Sequence, residues 1–145
     1  MAIALAVLWP GPALAQGREI GVGAIATLSD PAFAAGNAYA ALRTSGRTRV
    51  SGSVSAGVSG HEFAWRGELL GHFLLSPEER RNAGFYVAAG VALVDGPSQQ
   101  GYLVVTLGLE SRPRGNSGWA VEAGVGGGVR LAAGYRWRWF PLPPQ

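Results

Sequence analysis

The chain has two histidines, His61 and His72, and each has hydroxyl and carboxylate neighbours in sequence. His61 adjoins Ser59 and Glu62. His72 falls at even spacing from Glu68 and Ser76, so the three share a face if the segment is extended. A serine, a histidine and a carboxylate within hydrogen-bond reach are the minimum for nucleophilic acyl transfer, the chemistry of a lipid hydrolase. Neither arrangement carries a recognisable motif, and serine is frequent enough in this chain to fall near any histidine. The simpler expectation is a hydrogen-bonding role for His72 and a rim position for His61, with no catalytic residue.

Glutamate and arginine at alternate positions are the second set of candidates. Glu62, Arg66, Glu68, Glu110, Glu122, Arg130, Arg136 and Arg138 would each point to one side of an extended segment, with Glu19 near the start of the first. Paired face to face they would form an ion-pair network, since Arg–carboxylate pairs survive burial whereas a lone buried charge is very costly. Such a network plugs an interior; the competing use of the same residues is to line an ion path.

Other chemistry is excluded more simply. The chain lacks cysteine, so disulfides and thiolate metal sites are unavailable, and no His/Asp/Glu cluster has metal-ligand spacing; no cofactor is expected. Gly124-Val-Gly126-Gly-Gly128 superficially resembles a phosphate loop, but no helix follows and the chain has no lysine, so it reads as a turn. Glu78-Glu79-Arg80-Arg81 reads as a solvated loop. A net charge of +3 spread along the chain leaves no nucleic-acid footprint.

The elements that must position these residues are strands. Eight segments near the roughly 10-residue length of a membrane β-strand are expected at 18–28, 32–44, 47–59, 61–75, 84–94, 101–112, 118–126 and 128–140. Turn residues separate them, among them Asp30-Pro31, Ser45-Gly46, Gly60, Ser76-Pro77 and Asp95-Gly96-Pro97. In the fourth segment Phe63, Trp65, Leu69 and Phe73 oppose Glu62, Arg66, Glu68 and His72. In the sixth, Leu103, Val105, Leu107 and Leu109 oppose Tyr102, Thr106, Gly108 and Glu110. The polar face is otherwise Gly, Ala and Ser, small residues suited to the crowded interior of an eight-stranded barrel. That places the large apolar residues on the outside, toward lipid. A belt of Phe63, Trp65, Leu69, Phe73, Val87, Val91, Leu103, Leu107, Val121 and Leu131 is expected there, with Trp119, Tyr135, Trp137 and Trp139 near the membrane interfaces. A barrel of this size is filled by side chains, which favours the plug over the ion path.

The uncharged apolar run before Pro10 and the small residues Ala13-Leu14-Ala15 read as a signal peptide cut after Ala15, although the usual positive start is missing. The expected organisation is a signal peptide at 1–15, a barrel at 16–140 and a tail at 141–145.

With Gly134 followed by the alternate aromatics Trp137 and Trp139, the chain resembles the small eight-stranded outer-membrane barrels of the OmpA transmembrane-domain and OmpX type. The resemblance implies an all-β, antiparallel, up-and-down transmembrane barrel in the outer membrane. It also implies that Gly134, Trp137 and Trp139 form the sorting signal read by the barrel-assembly machinery, and that outer-membrane lipid is a partner. Ala132 departs from the polar residue expected two places before the glycine, and the tail runs past the usual aromatic end. The connections at 29–31, 60, 95–100 and 126–128 are short, whereas those at 76–83 and 113–117, on the side of the termini, are longer. That reverses the usual asymmetry and argues against an adhesin or receptor. The rival of another class is a soluble, secreted, lipocalin-like barrel holding a small apolar ligand, which needs the same apolar residues to face inward.

Overall fold

The computed structural model describes residues 17–29, 31–76, 81–96 and 99–140, so the expected signal peptide and tail lie outside the described residues. Eight strands follow one another: β1 Gly17–Leu28, β2 Phe33–Arg43, β3 Thr48–Ser59, β4 Glu62–Leu74, β5 Ala83–Asp95, β6 Gln100–Ser111, β7 Ser117–Val125 and β8 Val129–Trp139. Every neighbouring pair is antiparallel, and β8 returns to β1, closing an all-β up-and-down barrel. The eight segments expected from alternation are all present, with ends that differ by a few residues at most. β6, for example, stops at Ser111, because Arg112 takes φ +47° and turns the chain out of the ladder.

The register fixes the barrel's dimensions. A path across the strands runs from Arg18 through Leu42, Val50, Gly71, Ala89, Val105, Val125 and Val129, and meets β1 again at Leu28. The offset from Arg18 to Leu28 is ten residues, an even shear, so inward and outward faces stay matched around the closure. With eight strands at ordinary sheet spacings this corresponds to a strand tilt of about 40° and a radius of about 8 Å. Strands of this length and tilt stand roughly 30 Å tall, enough for an apolar band of the kind that crosses an outer membrane.

Connection length carries the parity from strand to strand. The three residues between Val125 and Val129 keep both β7 and β8 pointing their even-numbered residues inward. The two residues between Ser59 and Glu62 flip the parity from odd in β3 to even in β4. Gly60 makes that tight turn at φ +64°, a value a side chain rarely allows.

The faces are inverted relative to a soluble barrel. Every residue of the expected apolar belt is exposed, up to 70% for Phe63 and 79% for Leu103. Buried instead, among the described residues, are six arginines, four glutamates, His72 and several serines and threonines. A lipocalin-like cavity lined by the large apolar residues is therefore not what the chain builds. The apolar groups that do lie inside form two small clusters, one around Leu70, Leu74, Tyr86 and Val104 and another around Ile25, Phe33 and Ala64.

Candidate functional site

Ionised side chains fill the barrel from rim to rim. Nearest the chain ends, Glu19 of β1 receives Arg43 Nε at 3.4 Å, Arg49 Nη1 at 3.0 Å and Arg138 Nε at 3.1 Å. Glu110 of β6 receives the same Arg49 Nη1 at 3.0 Å, Arg138 Nη2 at 3.2 Å and Arg136 Nη1 at 3.3 Å. Arg136 also reaches Glu122 of β7 at 3.2 Å, and Glu122 accepts Arg130 Nη1 at 2.8 Å. Arg130 grips Glu68 of β4 through two nitrogens at 2.6 and 2.8 Å. Glu68 in turn accepts Arg66 Nε at 2.9 Å, while Arg66 Nη2 stands 2.7 Å away without an aligned bond. The result is one unbroken ladder across all eight strands except β5, which contributes Tyr86 instead.

Six guanidinium groups against four carboxylates leave an excess of positive charge inside. Aromatic faces and backbone carbonyls take it up. Arg136 lies 4.1 Å from the Tyr39 ring centroid and Arg49 lies 4.9 Å from that of Tyr86, geometry in which the ring's negative face attracts a cation. Arg43 donates to the Pro113 carbonyl, Arg66 to Gly126 O at 2.9 Å and Arg138 to Arg112 O at 3.3 Å. Tyr86 Oη donates to Glu122 at 2.5 Å. A cavity of about 40 Å³ bordered by Asn37, Tyr39, Ser51, Glu68 and Arg136 is room for only a few waters.

Seven of the eight residues expected in the network lie in this ladder. Glu62 does not: it is exposed at the start of β4, on the inward parity but above the level where the lumen closes over it. Strand alternation gives the face and not the depth, and Glu62 is one turn of the pleat too high. Sequence reasoning missed Arg43, Arg49, Tyr39 and Tyr86. Arg43 and Arg49 flank the Ser45-Gly46 turn, where charge ordinarily means solvent, yet they pair across β2–β3 and are 2% and 0% exposed.

His72 meets neither Glu68 nor Ser76 in a catalytic arrangement. Glu68 is taken by arginines, and Ser76 is exposed. The partner of His72 is Ser51, whose Oγ is 2.7 Å from Nε2, while Arg49 Nη2 is 3.2 Å from Nδ1. Arginine only donates, so Nδ1 is the acceptor and the ring proton sits on Nε2, directed at the serine. That is the reverse of a nucleophile's arrangement, in which the imidazole accepts the hydroxyl proton. His61 is exposed at the rim.

Trp119 and Tyr135 face each other across β7–β8 on the outer surface, where the Tyr135 hydroxyl donates to Ser117 at 3.0 Å. Trp137 and Trp139 continue that outward row, with the Tyr135 and Trp137 rings 5.3 Å apart edge to face. Gly134 stands in the same strand opposite Gly23 of β1.

No protein-family model matches this chain, and no curated protein matches it in sequence. Solved structures do match in shape. The N-terminal β-barrel domain of OprF from Pseudomonas aeruginosa is similar with a TM-score of 0.67 at 11% identity, over 86% of this chain and 98% of that one. Ail, the attachment invasion locus protein of Yersinia pestis, is similar with a TM-score of 0.53 at 12% identity, over 86% and 99%. Both are outer-membrane barrels, and the fold of this chain is theirs: a closed, eight-stranded, antiparallel barrel.

Proposed function

We propose that this chain is a small integral protein of the outer membrane with a structural or lipid-associated role, exported through the signal peptide at 1–15 and closed by its arginine–glutamate ladder. The observation that carries the reading is the inversion of polarity: apolar side chains stand exposed all round the barrel while ten ionised groups are buried inside it. In water such a surface far exceeds the largest apolar patch of an ordinary soluble protein. In a bilayer it is the ordinary lipid-facing band. The likeness to two outer-membrane barrels supports the same location.

The ladder supports a plug over a pore, since each carboxylate is shared by at least two arginines and a passing ion would have to displace them together. The direction of the Ser51–His72 bond speaks against a hydrolase. Short connections away from the chain ends speak against carrying an attachment role over from Ail. Gly134, Trp137 and Trp139 are proposed as the signal presented to the barrel-assembly machinery, and outer-membrane lipid as the physiological partner.

Expression of the full precursor in a Gram-negative host, followed by membrane fractionation and a comparison of boiled with unboiled samples on a detergent gel, tests the reading. Recovery in the outer membrane with a heat-dependent mobility shift is expected. A soluble periplasmic product that needs no detergent overturns it.

A further inference from the structure

The arginines outside the lumen are not scattered. Arg18 opens β1, Arg47 sits in the β2–β3 turn, Arg81 precedes β5, and Arg112 and Arg114 lie in the β6–β7 connection. In a closed up-and-down barrel all five fall on the rim that also carries both ends of the chain. Glu19 and Glu110, the lumen carboxylates of this half of the barrel, are buried and already shared among lumen arginines. Sequence places Glu78, Glu79 and Arg80 in the β4–β5 connection at the same rim, which brings it to six arginines against two glutamates. The opposite rim has the opposite sign. Exposed Glu62 and half-buried Asp95 flank its connections, Asp30 belongs there by sequence, and no arginine among the described residues is exposed on it.

The basic rim is also the aromatic one. Arg18 points outward on β1 and pairs across the ladder with Trp139. The Arg114 guanidinium lies 4.7 Å from the Phe140 ring centroid. An open groove of about 380 Å³ runs between Asn116, Ser117, Trp137, Trp139 and Phe140. Cations just beyond a row of amphipathic rings match the layering of a lipid leaflet, with phosphate outside and upper acyl chain within.

We propose that this rim is a binding collar for anionic glycerophospholipid headgroups, an inference that rests on the lipid-spanning reading above. Guanidinium groups bind phosphate oxygens in a fixed fork, and a negatively charged leaflet attracts clustered arginines. Trp137 and Trp139 lie along the acyl chains below. The acidic opposite rim is repelled by the same headgroups, so the charge asymmetry also selects which end of the barrel faces an anionic leaflet.

The test inserts the full chain into vesicles of phosphatidylcholine alone, with phosphatidylglycerol or with lipid A, and measures retention of spin-labelled lipid of each class at the protein surface. Phosphatidylglycerol is expected to be held about five-fold more strongly than phosphatidylcholine at low ionic strength, with the preference falling as salt rises. The variant R47Q/R112Q/R114Q is expected to move toward parity, R47K/R112K/R114K to keep the preference, and E62Q/D95N not to weaken it. A triple glutamine variant that inserts and keeps the wild-type preference overturns the collar, as does a wild-type protein that inserts with no preference. So does a stronger preference for lipid A than for phosphatidylglycerol. Failure to insert into any of these vesicles overturns the lipid-spanning reading itself.

Discussion

Tyr86 and Gly108 face each other across the β5–β6 ladder, and the tyrosine ring occupies the space a β-carbon at position 108 would need. The absent side chain lets an aromatic ring lie flat against the barrel wall, a cross-strand arrangement that compensates a glycine in a strand. From there the Tyr86 hydroxyl reaches Glu122, and its ring faces Arg49 and lies 5.2 Å from His72. One residue of β5, 0% exposed, thus orients two of the ladder's charged groups without being charged itself.

Gly108→Ala should therefore be far more costly than a glycine-to-alanine change at an ordinary strand position. The added methyl pushes the ring off its seat and pulls the hydroxyl from Glu122, an overpacking cost of about 1–3 kcal/mol. Tyr86→Phe keeps the ring and removes the hydroxyl's bond to Glu122 together with the one it accepts from Arg136 at 3.3 Å, about 1.5–3 kcal/mol. Urea titration in lipid vesicles, followed by tryptophan fluorescence, measures both. A Gly108→Ala variant as stable as the parent would show that the ring does not need its present position.

The two carboxylates of β4 that sequence treated alike should separate sharply. Glu68 is shared by Arg66 and Arg130, so Glu68→Gln leaves two buried guanidinium groups short of a counter-charge, and breaking a buried pair in this way costs about 3–5 kcal/mol. Glu62 is exposed and stands apart from the ladder, so Glu62→Gln should stay within about 0.5 kcal/mol of the parent. Comparable losses at the two sites in the same urea titration would contradict the placement of Glu62 at the rim.

That contrast marks how far the sequence was legible. A period of two is set by the pleat itself, so the outward face of β4 and of β6, and the inward parity of Glu62, Arg66, Glu68 and Glu110, were all readable from alternation. Depth was not, because height in the barrel depends on the ten-residue shear, a sum over all eight pairings that no single segment carries. Arg43 and Arg49 were hidden for a related reason. Each has the inward parity of its strand, matching Tyr39 and Ala41 in one case and Ser51 and Ser55 in the other. The glycine turn between them suggested solvent, and only the folded barrel brings Glu19 within reach of both and Glu110 within reach of Arg49.

The proton on His72 offers a test that does not depend on stability. Arg49 can only donate to Nδ1, so the neutral ring should carry its proton on Nε2 and give it to Ser51 Oγ. Nitrogen-15 shifts of labelled His72 in the folded protein should show Nδ1 as the bare nitrogen. A proton on Nδ1, or labelling of Ser51 by a serine-directed phosphonate, would reopen the hydrolase reading.

Two adjacent residues of β6 put the orientation of the wall to its sharpest test. Leu107 is 52% exposed on the outer face, in the middle of the apolar band, whereas Thr106 is buried against the lumen with no hydrogen-bond partner for its hydroxyl. Leu107→Arg should cost about 2–4 kcal/mol when the barrel folds into a bilayer, because the charge has to be desolvated in hydrocarbon. Thr106→Val removes a buried hydroxyl that bonds to nothing and keeps the shape, so it should be neutral or slightly stabilising. A soluble barrel with the wall reversed predicts the opposite order: arginine at 107 would be solvated and cheap. Folding of both variants into vesicles, read by band shift on unboiled gels across a urea series, distinguishes the two orders. Equal tolerance of arginine at 107 and of the parent leucine would remove the case for lipid on the outside.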